Sequence, residues 1–76
     1  MDEIQMEPVV SSNIKAIGFD AKNGIIRVSF LSGGTYDAPG ATQADYDLFK
    51  SAKSHGQHFN KILKKAFVWG KTEKKG

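Results

Sequence analysis

Cysteine is absent from this chain, which excludes disulfides and thiolate zinc sites as sources of stability. With 76 residues the chain makes one domain that buries only about 60% of the surface its unfolded form exposes. Packing or self-association must then supply what covalent staples do not, and a homodimer is one expected outcome. Long apolar runs are missing as well. None approaches the ~20 residues that a membrane-spanning helix needs, and Asp2 and Glu3 stand where a secretory signal would be basic. These absences lead to the expectation of a cytoplasmic protein without a membrane partner. Catalytic signatures are also lacking: there is no nucleophile elbow, no Walker or dinucleotide glycine loop, and no pair of acids in an apolar setting. A domain this small has scant room for a closed active site, so binding without turnover and without a cofactor is expected.

Acids are scarce in one half only. Residues 48–76 hold Glu73 alone against Lys50, Lys53, Lys61, Lys64, Lys65, Lys71, Lys74 and Lys75, a net charge of +7. Residues 1–47 hold seven acids against Lys15, Lys22 and Arg27, a net charge of −4, which together recovers the total of +3. A positive field at one end favours phosphate-rich ligands and fast association. The same lysines also serve as a solvated surface that keeps a small domain soluble.

The pattern of residues divides the chain into a flexible acidic extension over 1–8, one domain over 9–69 and a disordered basic tail over 70–76. Residues 14–20 are strand-like, and Lys22-Asn23-Gly24 supplies the chemistry of a tight reversal. Ile26, Val28 and Phe30 then alternate with Arg27 and Ser29, the period of two of a sheet with one buried face. Ser32-Gly33-Gly34 turns the chain into a third strand from Thr35, which Pro39-Gly40 ends. Thr42, three residues before Asp45, opens a first helix with a capping box. Its expected buried stripe is Ala44, Leu48, Phe49 and Ala52, and Gly56 next to His55 marks its end. In a second helix Phe59, Ile62, Leu63, Ala66 and Phe67 share one face, with Lys61, Lys64 and Lys65 opposite. The expected fold is α+β: a three-stranded antiparallel β-meander followed by two α-helices packed on one face.

Val10-Ser11-Ser12-Asn13-Ile14, Ile17-Gly18-Phe19-Asp20, Val28-Ser29-Phe30 with Gly33-Gly34 and Tyr36, and Ser51-Ala52-Lys53-Ser54-His55-Gly56 with Phe59-Asn60 and Ile62 together resemble the KTSC domain. The resemblance spans about residues 6–67. That family takes its name from a C-terminal extension of some lysyl-tRNA synthetases and is widespread as small bacterial and phage proteins. Its order of elements agrees with the one read above, and the synthetase association implies contact with RNA. Where the family often carries an aromatic two residues after the equivalent of Tyr36, this chain has Ala38.

The candidate anion or nucleic-acid site comprises Ser11, Ser12, Asn13, Lys50, Lys53, His55, Gly56, His58, Asn60, Lys61, Lys64 and Lys65. The serine turn offers hydroxyl, amide and backbone donors to a phosphate, or satisfies its own backbone. The break around Gly56 precedes a helix start, where amides attract anions, or is an ordinary interhelical turn. His55 and His58 are three apart, yet no cysteine or nearby carboxylate completes a zinc set. Asn60 either reads a base edge or caps a helix, while Tyr36, Tyr46 and Trp69 either stack on bases or complete the core. The leading reading is a non-catalytic nucleic-acid-binding domain, for RNA rather than duplex DNA, using the lysine face. Two alternatives stay open: a receptor or sponge for a small nucleotide-like anion in a cleft between the His55 loop and the serine turn, within one chain or across a dimer interface, and a protein-interaction module.

Overall fold

The structure, a computed structural model, describes residues 4–71. Five strands form one antiparallel sheet in chain order: β1 (Met6–Pro8), β2 (Ile14–Asp20), β3 (Ile25–Phe30), β4 (Thr35–Pro39) and β5 (Gly70–Lys71). Helix α1 (Gln43–Lys50) follows β4. A second helix runs over residues 55–66, as α-turns at His55–His58 (α2) and Lys64–Ala66 (α3) on either side of a π-turn at Phe59–Leu63. The α+β class, the antiparallel sheet and the two helices agree with expectation, and the expected meander of three strands is the centre of a wider sheet. Among the described residues no helix is long and apolar enough to cross a membrane.

Inward positions of the central strands build the core. Ile14, Ile17, Ile26 and Val28 are fully buried and pack with Tyr46 and Phe49 of α1 and Leu63 of the second helix. Ile14 and Ile17 are three apart, a spacing that strict alternation would place on opposite faces. A bulge reconciles them: Ile14 pairs with Phe30 but Ala16 pairs with Ser29, so the ladder slips at Lys15. On the outer face Arg27 donates to both carboxylate oxygens of Asp37 across the β3–β4 pair, at 2.7 and 2.9 Å. At the β2–β3 reversal the Asp20 carboxylate accepts from the amides of Lys22 and Asn23 and from the Asn23 side chain. The Asn23 side-chain bond leads the causes that hold the Asp20 pKa below its ordinary 3.8. Gly24 completes the turn at φ 67°.

Four expectations need correction. The extension over 1–8 is not wholly outside the sheet, because Met6–Pro8 pairs with Gly18, Ile17 and Ala16 of β2. Gly18 permits this, since a β-carbon there would stand 2.7 Å from Ile4, Gln5 and Met6 atoms. The tail over 70–76 likewise begins in the sheet, with Gly70 and Lys71 pairing with Asp37 and Tyr36. Ile4 and Gln5 precede the strand, and residues 1–3 and 72–76 of those two segments lie outside the described residues. In α1 the Thr42–Asp45 capping box forms and Phe49 turns inward as expected, but Tyr46 is the other buried residue, Ala44 is exposed and Leu48 is 63% exposed. The fourth correction is the apolar face of the second helix. The Lys64 amide donates to the Phe59 carbonyl, five residues back, and that wider turn carries Ile62 and Ala66 out to solvent while Leu63 stays buried.

Gly18→Val should therefore unseat β1, with a loss of about 1–3 kcal/mol from overpacking. The Val9 amide, which donates to Lys15 O at 3.2 Å, is expected to lose its protection from hydrogen exchange in that variant. Unchanged protection would show that β1 does not depend on the missing side chain.

Candidate functional site

The turn at Ser11–Asn13 is folded by its own first serine. Ser11 Oγ accepts from the amides of Asn13 and Ile14, both at 3.2 Å, so Ser11 holds the turn rather than presenting its oxygen to a ligand. The Asn13 carbonyl accepts from Leu31 N at 2.8 Å, which ties the turn to the end of β3. Ser12 and Asn13 remain exposed. Opposite them the second helix starts at Ser54, whose hydroxyl accepts from Gln57 N, and Gly56 is buried at the point of approach. A β-carbon on Gly56 would lie 3.3 Å from Asn13 Nδ2 and 3.7 Å from Ser11 Oγ. The glycine is thus explained by close approach, since no left-handed backbone is recorded there.

Between the two walls lies a cleft of about 280 Å³, lined by Ser12, Asn13, Gly56 and Asn60 with Phe30, Leu31, Ser32 and Phe59. A second cleft of about 380 Å³ adjoins it through Phe30, Ser32 and Phe59, and adds Tyr36, Lys64 and Trp69. Both sit near the small end of the ~300–1,000 Å³ range of ligand clefts. Both walls come from one chain. Phe30 and Phe59 pack against the core as expected and also line these clefts, while Leu31 and Ser32 carry no mark of a site in the sequence. The one available signal was the Gly33-Gly34 reversal, which folds Ser32 back beside the helix.

The other expected site residues disperse. Lys53, His58 and Lys61 line a separate shallow groove of about 270 Å³ with Ser54, Gln57 and Ile62. The Lys50 ammonium lies 3.2 Å from the Glu7 carboxylate of β1, so its charge faces an acid. Lys65 is exposed and lines none of these three clefts. The His55 ring meets Phe49 edge-on at 5.8 Å, and its Nε2 is 3.2 Å from the Lys50 carbonyl. Nε2 must donate there, and among the described residues the buried Nδ1 has no hydrogen-bond partner. Tyr46 is in the core, stacked on Phe19 at 5.5 Å, and burial raises its pKa above 10.0. Ala38 is fully buried, which accounts for a small residue there.

Known proteins share this architecture. The KTSC domain family model matches residues 10–67. A protein of Tsukamurella paurometabola is 36% identical over 62 residues, covering 82% of this chain and 92% of its own length. The crystal structure of a KTSC domain protein from Yersinia pestis superposes with a TM-score of 0.88 at 34% identity, over 93% of this chain and 100% of that one.

His58 stacks on Phe49 with ring centroids 5.5 Å apart and 20° between planes. Burial, assisted by His55, lowers its pKa from the ordinary 6.5. The folded chain therefore binds this proton less readily than the unfolded chain. Its contribution is complete above the unfolded value and declines as pH falls through 6.5 toward the lowered folded value. Urea midpoints should fall between about pH 7.5 and about pH 5.5, and fall less in His58→Gln. Equal acid sensitivity in both proteins would contradict the assignment.

Proposed function

This chain belongs to the KTSC domain family, and from that premise we propose that it is a non-catalytic nucleic-acid-binding domain for RNA or other unpaired strands. The observation that carries the reading is the convergence of Ser12, Asn13, Gly56 and Asn60 on one cleft. These residues come from two distant parts of the sequence and bring hydroxyl, amide and backbone groups to one place. Such donors suit phosphate, sugar hydroxyls and base edges alike. Lys64 lines the adjoining cleft, and Lys61 and Lys65 are exposed on the same helix. They supply the sequence-independent attraction that phosphate backbones require. Lys50 contributes little, because Glu7 already faces it. Location in the cytoplasm belongs to the same reading.

A second reading keeps the same cleft but fills it with a small nucleotide-like anion. Its volume of about 280 Å³ favours that alternative. The two readings differ in salt dependence. Each phosphate neutralised on a single strand contributes a slope of about −0.7 in log affinity against log salt.

The triple variant Lys61→Ala, Lys64→Ala, Lys65→Ala is expected to lose affinity for a short unpaired RNA and to flatten the salt slope by about 2. Fluorescence-anisotropy titrations at two or more salt concentrations read both quantities. An unchanged slope and affinity would overturn the polymer reading, and displacement of RNA by free mononucleotide would favour the small-ligand one.

A further inference from the structure

Four half-buried aromatic rings meet at the second cleft in an unbroken series. Tyr36 lies 5.8 Å from Phe30, Phe30 lies 5.2 Å from Phe59, and Phe59 lies 4.9 Å from Trp69, every pair edge-to-face. These rings come from β4, β3, the π-turn and the segment before β5. None is fully buried. Phe30, Phe59 and Trp69 pack against the core and, with Tyr36, also wall an open space of about 380 Å³. Their positions are fixed from behind. Trp69 Nε1 donates to the Leu63 carbonyl at 2.9 Å, so the indole cannot rotate without giving up that bond. Tyr36 lies over Gly34, where a β-carbon would come within 3.0 Å of its ring. The π-turn sets Phe59 one position out of ordinary helical phase, facing both Phe30 and Trp69.

Only two non-aromatic residues complete the lining, Ser32 and Lys64. A rigid aromatic recess with one ammonium group beside it suits a flat ring that carries an anionic substituent. An uncharged apolar peptide would leave Lys64 unanswered. The recess also continues, through Phe30, Ser32 and Phe59, into the polar cleft of Asn13 and Asn60, so an occupant can extend from stacking surface to hydrogen-bonding surface.

We propose that this aromatic cleft receives one unpaired nucleobase, stacked among Trp69, Phe59, Phe30 and Tyr36 with its phosphate at Lys64, while the adjoining cleft takes the polar groups of the next nucleotide. The proposal rests on the nucleic-acid reading above and deepens it by naming the part of the ligand that enters. Aromatic walls bind any base through its π face, so this cleft confers preference for unpaired over paired strands. Sequence preference falls to Asn13 and Asn60, which have amide groups suited to base edges.

The chain has one tryptophan, and it stands in the cleft, so its emission reports occupancy directly. The wild-type protein is titrated with a short single-stranded RNA, with the same backbone carrying abasic positions, with a free mononucleotide and with an apolar peptide of equal length. The intact RNA is expected to quench Trp69, and the abasic strand to bind about 5- to 150-fold more weakly without quenching. Equal affinity for both strands with emission unchanged overturns the base cleft while leaving a phosphate-binding surface intact. Quenching by free mononucleotide with no polymer binding supports the cleft and overturns the polymer reading. No response to either strand or to the mononucleotide overturns both, as does quenching by the peptide alone. Tyr36→Leu, which keeps an apolar side chain over Gly34, provides a second readout: weaker RNA binding with less quenching supports the cleft, and wild-type behaviour counts against it.

Discussion

A side chain at position 56 would crowd the Asn13 amide at 3.3 Å and fill the space up to Ser11, and the absence of one lets the second helix begin directly against the serine turn. Much else follows from that contact. The helix start is close enough to the sheet for Phe59 to reach Phe30, and His55 and His58 are drawn onto Phe49. The bulge at Lys15 acts from the other side, keeping Ile14 buried while bending the strand that carries the turn. Glycine in a helix ordinarily costs about 1 kcal/mol relative to alanine. Here the loss is offset by the packing that the close approach permits.

Charge and shape play separate parts. The lysines do not form one continuous patch: Lys50 faces Glu7, Lys53 and Lys61 share a groove, and Lys64 stands by the aromatic cleft. Dispersed ammonium groups suit a flexible backbone that passes over the surface, drawn by long-range attraction that salt screens. Preorganised polar and aromatic clefts add contacts that salt affects less. In the reading proposed above, the lysines bring a strand to the surface and the clefts select which part of it is held.

The central strands were legible because Ile26, Val28 and Phe30 alternate with Arg27 and Ser29, and the first helix because Thr42 and Asp45 have capping-box spacing. The edge strands were not. Met6–Pro8 has no alternation to detect, and Gly70–Lys71 is two residues long; each forms because a neighbouring strand offers an unpaired edge. The π-turn carries no sequence mark, so Ile62 and Ala66 were assigned to the wrong face by an arithmetic that assumes 3.6 residues per turn. The same limit hid half of the site. Ser12, Asn13, Gly56 and Asn60 were chosen for their chemistry, whereas Phe30 and Phe59, which do pack against the core, also wall the clefts, because sequence records apolarity and not the empty space beside it. Conversely, Ser11, His55 and Tyr46 have chemistry that the structure applies to holding the fold.

The most direct test of the central claim is amide chemical-shift mapping of the intact chain titrated with a short unpaired RNA. The account predicts that perturbations centre on Ser12, Asn13, Ser32, Gly56 and Asn60 and extend to the Trp69 indole. Perturbations confined to β1, or to the outer sheet face around Arg27 and Asp37, would contradict it and move the binding surface away from the two clefts.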